Sequence, residues 1–219
     1  MPSKLKWQTV SATLAEVLTN LMALKELSAF RLVEGTSLSL QLGHRESDDI
    51  DLFTDQVYGS VDFKDIDGLL RNNFEYVSKD LTEDFSWGIM RLVGTSEEEC
   101  IKLDMFYTDP FIRKPTLEDG IRMASVEDIA AMKMEVISSG GRKRDFWDID
   151  ELLELYELGD LLNLYLERNP YMDIKDALNG LTDFDRADQE DDPVCLLGKF
   201  WDLIKLDIIE VVEEYRTSR

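Results

Sequence analysis

The sequence predicts an α/β lobe followed by an α-helical lobe, and three observations carry the prediction. Short strand-like runs alternate with helical spacings up to about Tyr107, every pattern after a Pro110–Pro115 connection is helical, and no internal repeat or long low-complexity tract interrupts either part. The 219 residues, 44% of them hydrophobic, can bury a core larger than one average domain and smaller than two. The division is placed between residues 1–115 and 116–219.

Apolar residues at Val10, Leu14, Val17, Leu18, Leu21 and Leu24 recur at helical spacing, so an amphipathic helix runs to about Leu27. Phe30–Val33 then reads as a short strand that Gly35 ends, and Thr36 or Ser37 can cap a helix through about Gln41. Asp49–Phe53 resumes strand character. A helix near Asp62–Asn72 precedes strands over Phe74–Val77, Trp87–Val93 and Cys100–Tyr107. Helices are expected over Ser125–Ser138, Arg144–Glu157, Leu161–Glu167, Ile174–Leu178 and Val194–Tyr215, with an acidic loop over Thr182–Pro193.

The formal net charge of −22 disfavours a general nucleic-acid binder, because most of the surface would repel a phosphate backbone. From Asp148 to Arg219 there are 20 acidic and 7 basic residues, so 13 of the excess negative charges lie in the last third. That third would receive a basic partner, or simply present a solvated acidic face. Met1–Leu14 lacks the apolar block of a signal peptide and no run is long enough to span a membrane, which points to the cytoplasm. Cys100 and Cys195 have no metal-ligand spacing and read as buried free thiols.

Chemistry is concentrated in "DID" and "IKLDMF". Alternate residues of a strand share a face, so Asp49 and Asp51 point one way while Ile50 and Leu52 turn to a core. Two like charges side by side on a partly buried strand call for a cation. Mg²⁺ prefers carboxylate oxygens and leaves positions open for phosphate, and Asp104, between Leu103 and Met105, supplies a third carboxylate. Ahead of them, Gly35, Thr36 and Ser37 form a strand-to-helix turn whose free backbone N–H groups and hydroxyls suit a phosphate.

In that order, "EGTSLSLQLGHRESDDIDLF", "IKLDMF" and "VEDIAAMKMEVISSGGRKRDFWDI" resemble the AbiEii/AbiGii-type toxins of the nucleotidyltransferase superfamily, from about Leu32 to Leu153. The resemblance implies an α/β nucleotidyltransferase core with a mixed sheet and a helical C-terminal lobe. It also implies transfer of a nucleotide from a nucleoside triphosphate with Mg²⁺, two ions in this superfamily, by a toxin whose partner is a separate antitoxin. It assigns Gly35, Thr36 and Ser37 to the phosphate turn, Asp49 and Asp51 to the metal pair, and Asp104 to the third carboxylate. Lys133 takes the place of a basic residue able to neutralise triphosphate charge, against a snorkelling surface lysine, and Asp145 or Asp148 that of the last acidic position, against a first-turn helix role for Asp145. Arg45 and Ser47 fall in a stretch that shapes the loop into the Asp pair, and His44, the single histidine, is expected to make a structural hydrogen bond rather than act as a base.

Where the family has Gly-Gly-Thr, this chain has Glu34-Gly35-Thr36. A carboxylate beside the phosphate turn repels a triphosphate unless it points away or pairs with a cation such as Arg45 or Lys133. The two functions this leaves are a Mg²⁺-dependent nucleotidyltransferase acting on an RNA or protein acceptor and a catalytically impaired nucleotide-binding or partner-binding module. The dense basic stretch Arg142–Arg144, with Arg113 and Lys114, is the track an RNA acceptor would need.

Overall fold

The structure is a computed structural model that describes residues 4–79 and 86–218. The first three residues of the lobe expected to begin at Met1 lie outside the described residues. The strands β1 (Arg31–Leu32), β2 (Asp49–Thr54), β3 (Tyr76–Val77), β4 (Gly88–Gly94), β5 (Cys100–Tyr107), β6 (Thr116–Glu118) and β7 (Ile121–Met123) form one sheet in the order β3-β4-β5-β2-β1-β7-β6. The pairs β2·β5 and β1·β7 are parallel and the rest antiparallel, which makes the sheet mixed. The helices are α1 (Ala12–Ala23), α2 (Glu34–Leu42), α3 (Phe63–Asn73), α4 (Val126–Ser138), α5 (Lys143–Leu153), α6 (Leu158–Arg168), α7 (Ile174–Gly180) and α8 (Trp201–Thr217).

Period-two alternation sets the layers. Ile50 and Leu52 of β2, with Leu103 and Met105 of β5, join a core that α1 closes through Leu14, Val17, Leu18 and Leu21. Asp49, Asp51 and Asp104 emerge on the other face, towards a second core built from α4–α8 with Val33 and Leu38. Ser11, Asp62 and Ser125 cap α1, α3 and α4 through side-chain oxygens, which fixes where those helices begin.

Four expectations are corrected. The chain does not turn wholly helical after Pro115: β6 and β7 form a hairpin whose turn residues Asp119 and Gly120 have φ of 51° and 81°. That is the geometry an Asp-Gly pair supports, and the pair was present in the sequence. The helix expected from Val194 begins only at Trp201, because Cys195 bridges Arg45 and Gly198 takes φ 70°. The acidic segment expected as a loop holds a short 3-10 turn, Ala187–Gln189, and docks Ala187 and Phe184 on the helical core. The cysteines are free but only half-buried, at the start of β5 and in the segment before α8.

The two helices α4 and α7 touch at Gly180, where an added Cβ would stand 2.1 Å from the carbonyl oxygen of Ile137. Gly180→Ala is expected to cost about 1–3 kcal/mol through forced separation of these helices. The thermal unfolding midpoint checks it, and an unchanged midpoint would contradict the packing.

Candidate active site

The parallel register of β2 and β5 sets Asp51 directly opposite Asp104, and Asp49 opposite Lys102. All four line a pocket of about 290 Å³ with Glu34, Gly35, Arg45, Lys133 and Arg144. Asp51 is pushed up to about 7 by burial first, and then by the charges of Glu34, Asp104 and Asp49. Cations already engage the others. Lys102 Nζ donates to Asp104 Oδ2 at 2.5 Å, and Arg144 Nη1 stands 3.5 Å from Asp49 Oδ2. As the side chains lie, no three Asp, Glu, His or Cys of the described residues are grouped to hold a metal ion. Asp104 Oδ1 is buried and accepts no hydrogen bond from the described residues. Hard oxygen donors in excess, one of them unsatisfied, are the donor set that Mg²⁺ takes.

The wall beside this pocket is a buried charge network. Lys133, on α4, is buried rather than snorkelling, and its Nζ stands 2.8 Å from Asp145, 2.8 Å from Glu34 and 3.1 Å from Asp148. Burial alone would lower its pKa, but Glu34, Asp148 and Asp145 together raise it above the ordinary lysine value. Arg45 grips Asp148 with two hydrogen bonds, Nε to Oδ1 at 2.7 Å and Nη2 to Oδ2 at 2.9 Å. His44 Nε2 meets the same Oδ1 at 2.8 Å, the structural hydrogen bond expected of it. Burial raises the Asp148 pKa, yet Arg45 and Lys133 hold it well below the usual carboxylate value. Asp145 sits in the first turn of α5, accepts the Arg142 N–H at 3.0 Å and is lowered by Lys133 against burial.

The turn into α2 differs from its expectation. The helix begins at Glu34, not at a Thr36 or Ser37 cap, and the left-handed residue is Glu34, with φ 57°, rather than Gly35. Gly35 is needed for space: a Cβ there would meet Arg45 Nη2 at 2.3 Å. The hydroxyls are spent inside the fold. Thr36 Oγ1 donates to the carbonyl of Asp49 and shares a hydrogen with Ser47 Oγ at 2.8 Å, while Ser37 Oγ accepts from Gln41 at 3.2 Å. What the turn offers the pocket is therefore backbone N–H from its first residues. Val33 N–H also bonds the Asp51 carbonyl at 2.9 Å, so turn and acidic strand are stitched together.

Residues 17–193 match the family described as nucleotidyl transferase AbiEii toxin, type IV toxin–antitoxin system. The chain belongs to the AbiEii nucleotidyltransferase toxin family. An uncharacterised protein of Aquifex aeolicus is 32% identical over 183 residues, covering 80% of this chain and 83% of that protein. In fold this chain is similar to a putative nucleotidyltransferase from Helicobacter pylori, with TM-score 0.57, 17% identity and coverage of 94% and 92% of the two chains. It is similar likewise to the nucleotidyltransferase toxin MenT4 of Mycobacterium tuberculosis, with TM-score 0.58, 14% identity and coverage of 91% and 82%.

In this AbiEii chain Glu34, where the resemblance leads one to expect a glycine, is the one position of the turn with left-handed backbone, where glycine is unstrained. The carboxylate finds its cation in Lys133 but still lines the pocket. Sequence reasoning missed Lys102, although it shares a strand face with Asp104 by the same alternation that paired Asp49 with Asp51. It also missed an aromatic wall. Tyr58 and Trp87, both exposed with ring centroids 4.5 Å apart, border an adjoining cavity of about 870 Å³ that shares Glu34, Phe53 and Val136 with the acidic pocket. Of the basic stretch, Arg142 and Arg144 line the acidic pocket, Lys143 pairs with Asp192 at 3.0 Å, and Arg113 is held by Glu167 at 2.6 Å.

Replacing Asp148 by Asn takes from buried Arg45 the carboxylate that grips it and from Lys133 one of three, so a loss of about 3–5 kcal/mol is expected in urea unfolding. A loss under about 1 kcal/mol, the scale of a surface pair, would contradict the network. Because the folded-state pKa values of Asp145 and Asp148 are depressed, their contribution is present at neutral pH and lost as pH falls below about 3.9, the unfolded value. The acid limb of the stability profile should therefore be shallower in Asp148→Asn than in the native chain.

Proposed function

We propose that this AbiEii-family chain is a Mg²⁺-dependent nucleotidyltransferase that moves a nucleotide from a nucleoside triphosphate to an acceptor hydroxyl. The observation that carries it is the register that sets Asp51 opposite Asp104 in one pocket with Asp49, beside a helix N-terminus stitched to the same strand. Asp49, Asp51 and Asp104 are the residues to hold Mg²⁺, whose bound ions would activate the hydroxyl and neutralise the pyrophosphate released. The N–H groups at Glu34, Gly35 and Thr36, with Arg144 and Lys133, would hold and orient the phosphates. A new bond from the acceptor oxygen to the α-phosphorus replaces the bond to the leaving pyrophosphate.

The aromatic cavity supports a nucleoside subsite beside the acidic pocket. Tyr58 and Trp87 offer faces for a base, and Glu135 lines the same cavity as a polar group for its edge. The acceptor is an RNA or a protein. Arg142 and Arg144 at the pocket favour neither strongly, because the surrounding surface is acidic. Membership of a toxin family supports a separate antitoxin as partner. The second reading, a nucleotide-binding or partner-binding module with an impaired site, is favoured by one observation, the presence of the Glu34 carboxylate in the lining of the acidic pocket.

Incubation with each labelled triphosphate, Mg²⁺ and total cell RNA or protein separates the two. Label in an acceptor supports transfer, whereas bound nucleotide with no transfer supports the module. Asp49→Asn and Asp104→Asn are expected to abolish transfer with little change in the metal-free unfolding midpoint, since relief of like-charge repulsion offsets a lost contact. Residual transfer in both variants would contradict the assignment, and a large drop in both midpoints would make the carboxylates structural. Trp87→Ala is expected to weaken triphosphate binding by about 1–3 kcal/mol, the scale of base–aromatic stacking. Equal affinity by titration calorimetry would move the base elsewhere.

A further inference from the structure

The segment leading into α8 carries apolar side chains on two opposite faces. Trp201, Ile204, Ile208 and Val212 are buried in the helical core. Phe200, Leu203 and Leu206, three apart in turn, project on the other side and are exposed to 68%, 54% and 59%. Val194, Leu196 and Leu197 just before the helix are also exposed. A helix that is apolar on both faces is normally covered on both, and a contiguous patch of this kind marks a contact surface.

The charge around the patch selects what can cover it. Asp191, Asp192, Asp202, Asp207 and Glu210 are exposed along the same segment. Its two lysines are engaged by acids of the chain itself: Lys199 by Asp150 at 2.6 Å, with Glu151 and Glu154 further out, and Lys205 by Asp188 at 3.0 Å and Asp202 at 3.4 Å. The rim is therefore negative. A nucleic acid or an anionic lipid surface is repelled, and so is a second copy of a chain with net charge −22. A protein segment with an apolar ridge flanked by lysines and arginines is complementary on both counts.

We propose that Phe200, Leu203 and Leu206, with Leu196 and Leu197, form the docking surface for a cationic amphipathic helix of a partner protein. The place is not remote from the site. Glu46 N–H bonds the Val194 carbonyl and Leu196 N–H bonds the His44 carbonyl, both at 2.9 Å, so the segment is paired to the strand-like stretch whose His44 and Arg45 hold Asp148. A partner seated here contacts the element that carries the back of the charge network. This inference does not depend on nucleotide transfer.

The test uses the full chain and a synthetic helical peptide of about 18 residues, long enough to hold a helix on docking, with leucines along one face and arginines and lysines beside it. A second peptide carries glutamates in place of those basic residues. The native chain is expected to bind the cationic peptide and not the acidic one in calorimetry. Phe200→Ser with Leu203→Ser, and separately Asp207→Lys with Glu210→Lys, are each expected to weaken binding about tenfold or more. Circular dichroism should be unchanged, because all four side chains are exposed. Absence of binding, or binding unaffected by the serine pair, which would reduce it to bare charge attraction, overturns the proposal. So does a concentration-dependent dimer in sedimentation that the serine pair abolishes, which would assign the surface to a second copy.

Discussion

One buried ammonium group ties the molecule together. Lys133 Nζ on α4 meets Glu34 at the start of α2 and Asp145 and Asp148 on α5, and Asp148 in turn takes Arg45 and His44 from the loop ahead of β2. Sheet-side and helix-side elements are thus joined by charges that water does not screen. Removing Lys133 would leave Glu34, Asp145 and Asp148 facing Arg45 alone, and uncompensated charge in the interior is more costly than the pairing is favourable. The network fixes how α4 and α5 stand against the sheet, and hence the width of the pocket between them.

A second constraint acts across β2 and β5. Strand register brings acids together that mutual repulsion would separate, and the chain tolerates this only by posting Lys102 and Arg144 against two of them and by raising the third towards neutrality. The Thr36 hydroxyl, donating to the Asp49 carbonyl, and the Val33 N–H, donating to the Asp51 carbonyl, keep the strand from relaxing. The site is held under electrostatic load by its own fold, which the proposed binding of divalent cations would relieve.

Much of this was legible in the sequence because it follows from short periodicities. Alternation in "DIDLF" and "KLDMF" placed three acids on one face, and helical spacing located α1, α3 and α4. The α/β core and helical lobe followed, and so did the family, whose resemblance rested on the motifs between Leu32 and Leu153 and whose match runs over residues 17–193. What was illegible depends on tertiary contact. Gly35 is small to admit a guanidinium 10 residues further on, not to turn the chain, and Thr36 serves a carbonyl of the next strand. The choice between Asp145 and Asp148 could not be made because both belong to one network, the first as a helix-start acceptor and the second as its centre. The β6–β7 hairpin, by contrast, had its Asp-Gly signal in plain view.

The claim on which the functional reading turns is that Lys133 absorbs the charge of Glu34, so that a turn carrying a carboxylate in place of glycine still accepts a triphosphate. Its direct measure is the affinity of the native chain and of Glu34→Gly for a triphosphate with Mg²⁺, by calorimetry. Equal affinity within a few-fold, with equal transfer, is the predicted result, since the carboxylate is already paired. A gain of about tenfold to a thousandfold on mutation, the size expected from an uncompensated charge a few ångströms from a phosphate, would contradict it and leave the native chain a binding module.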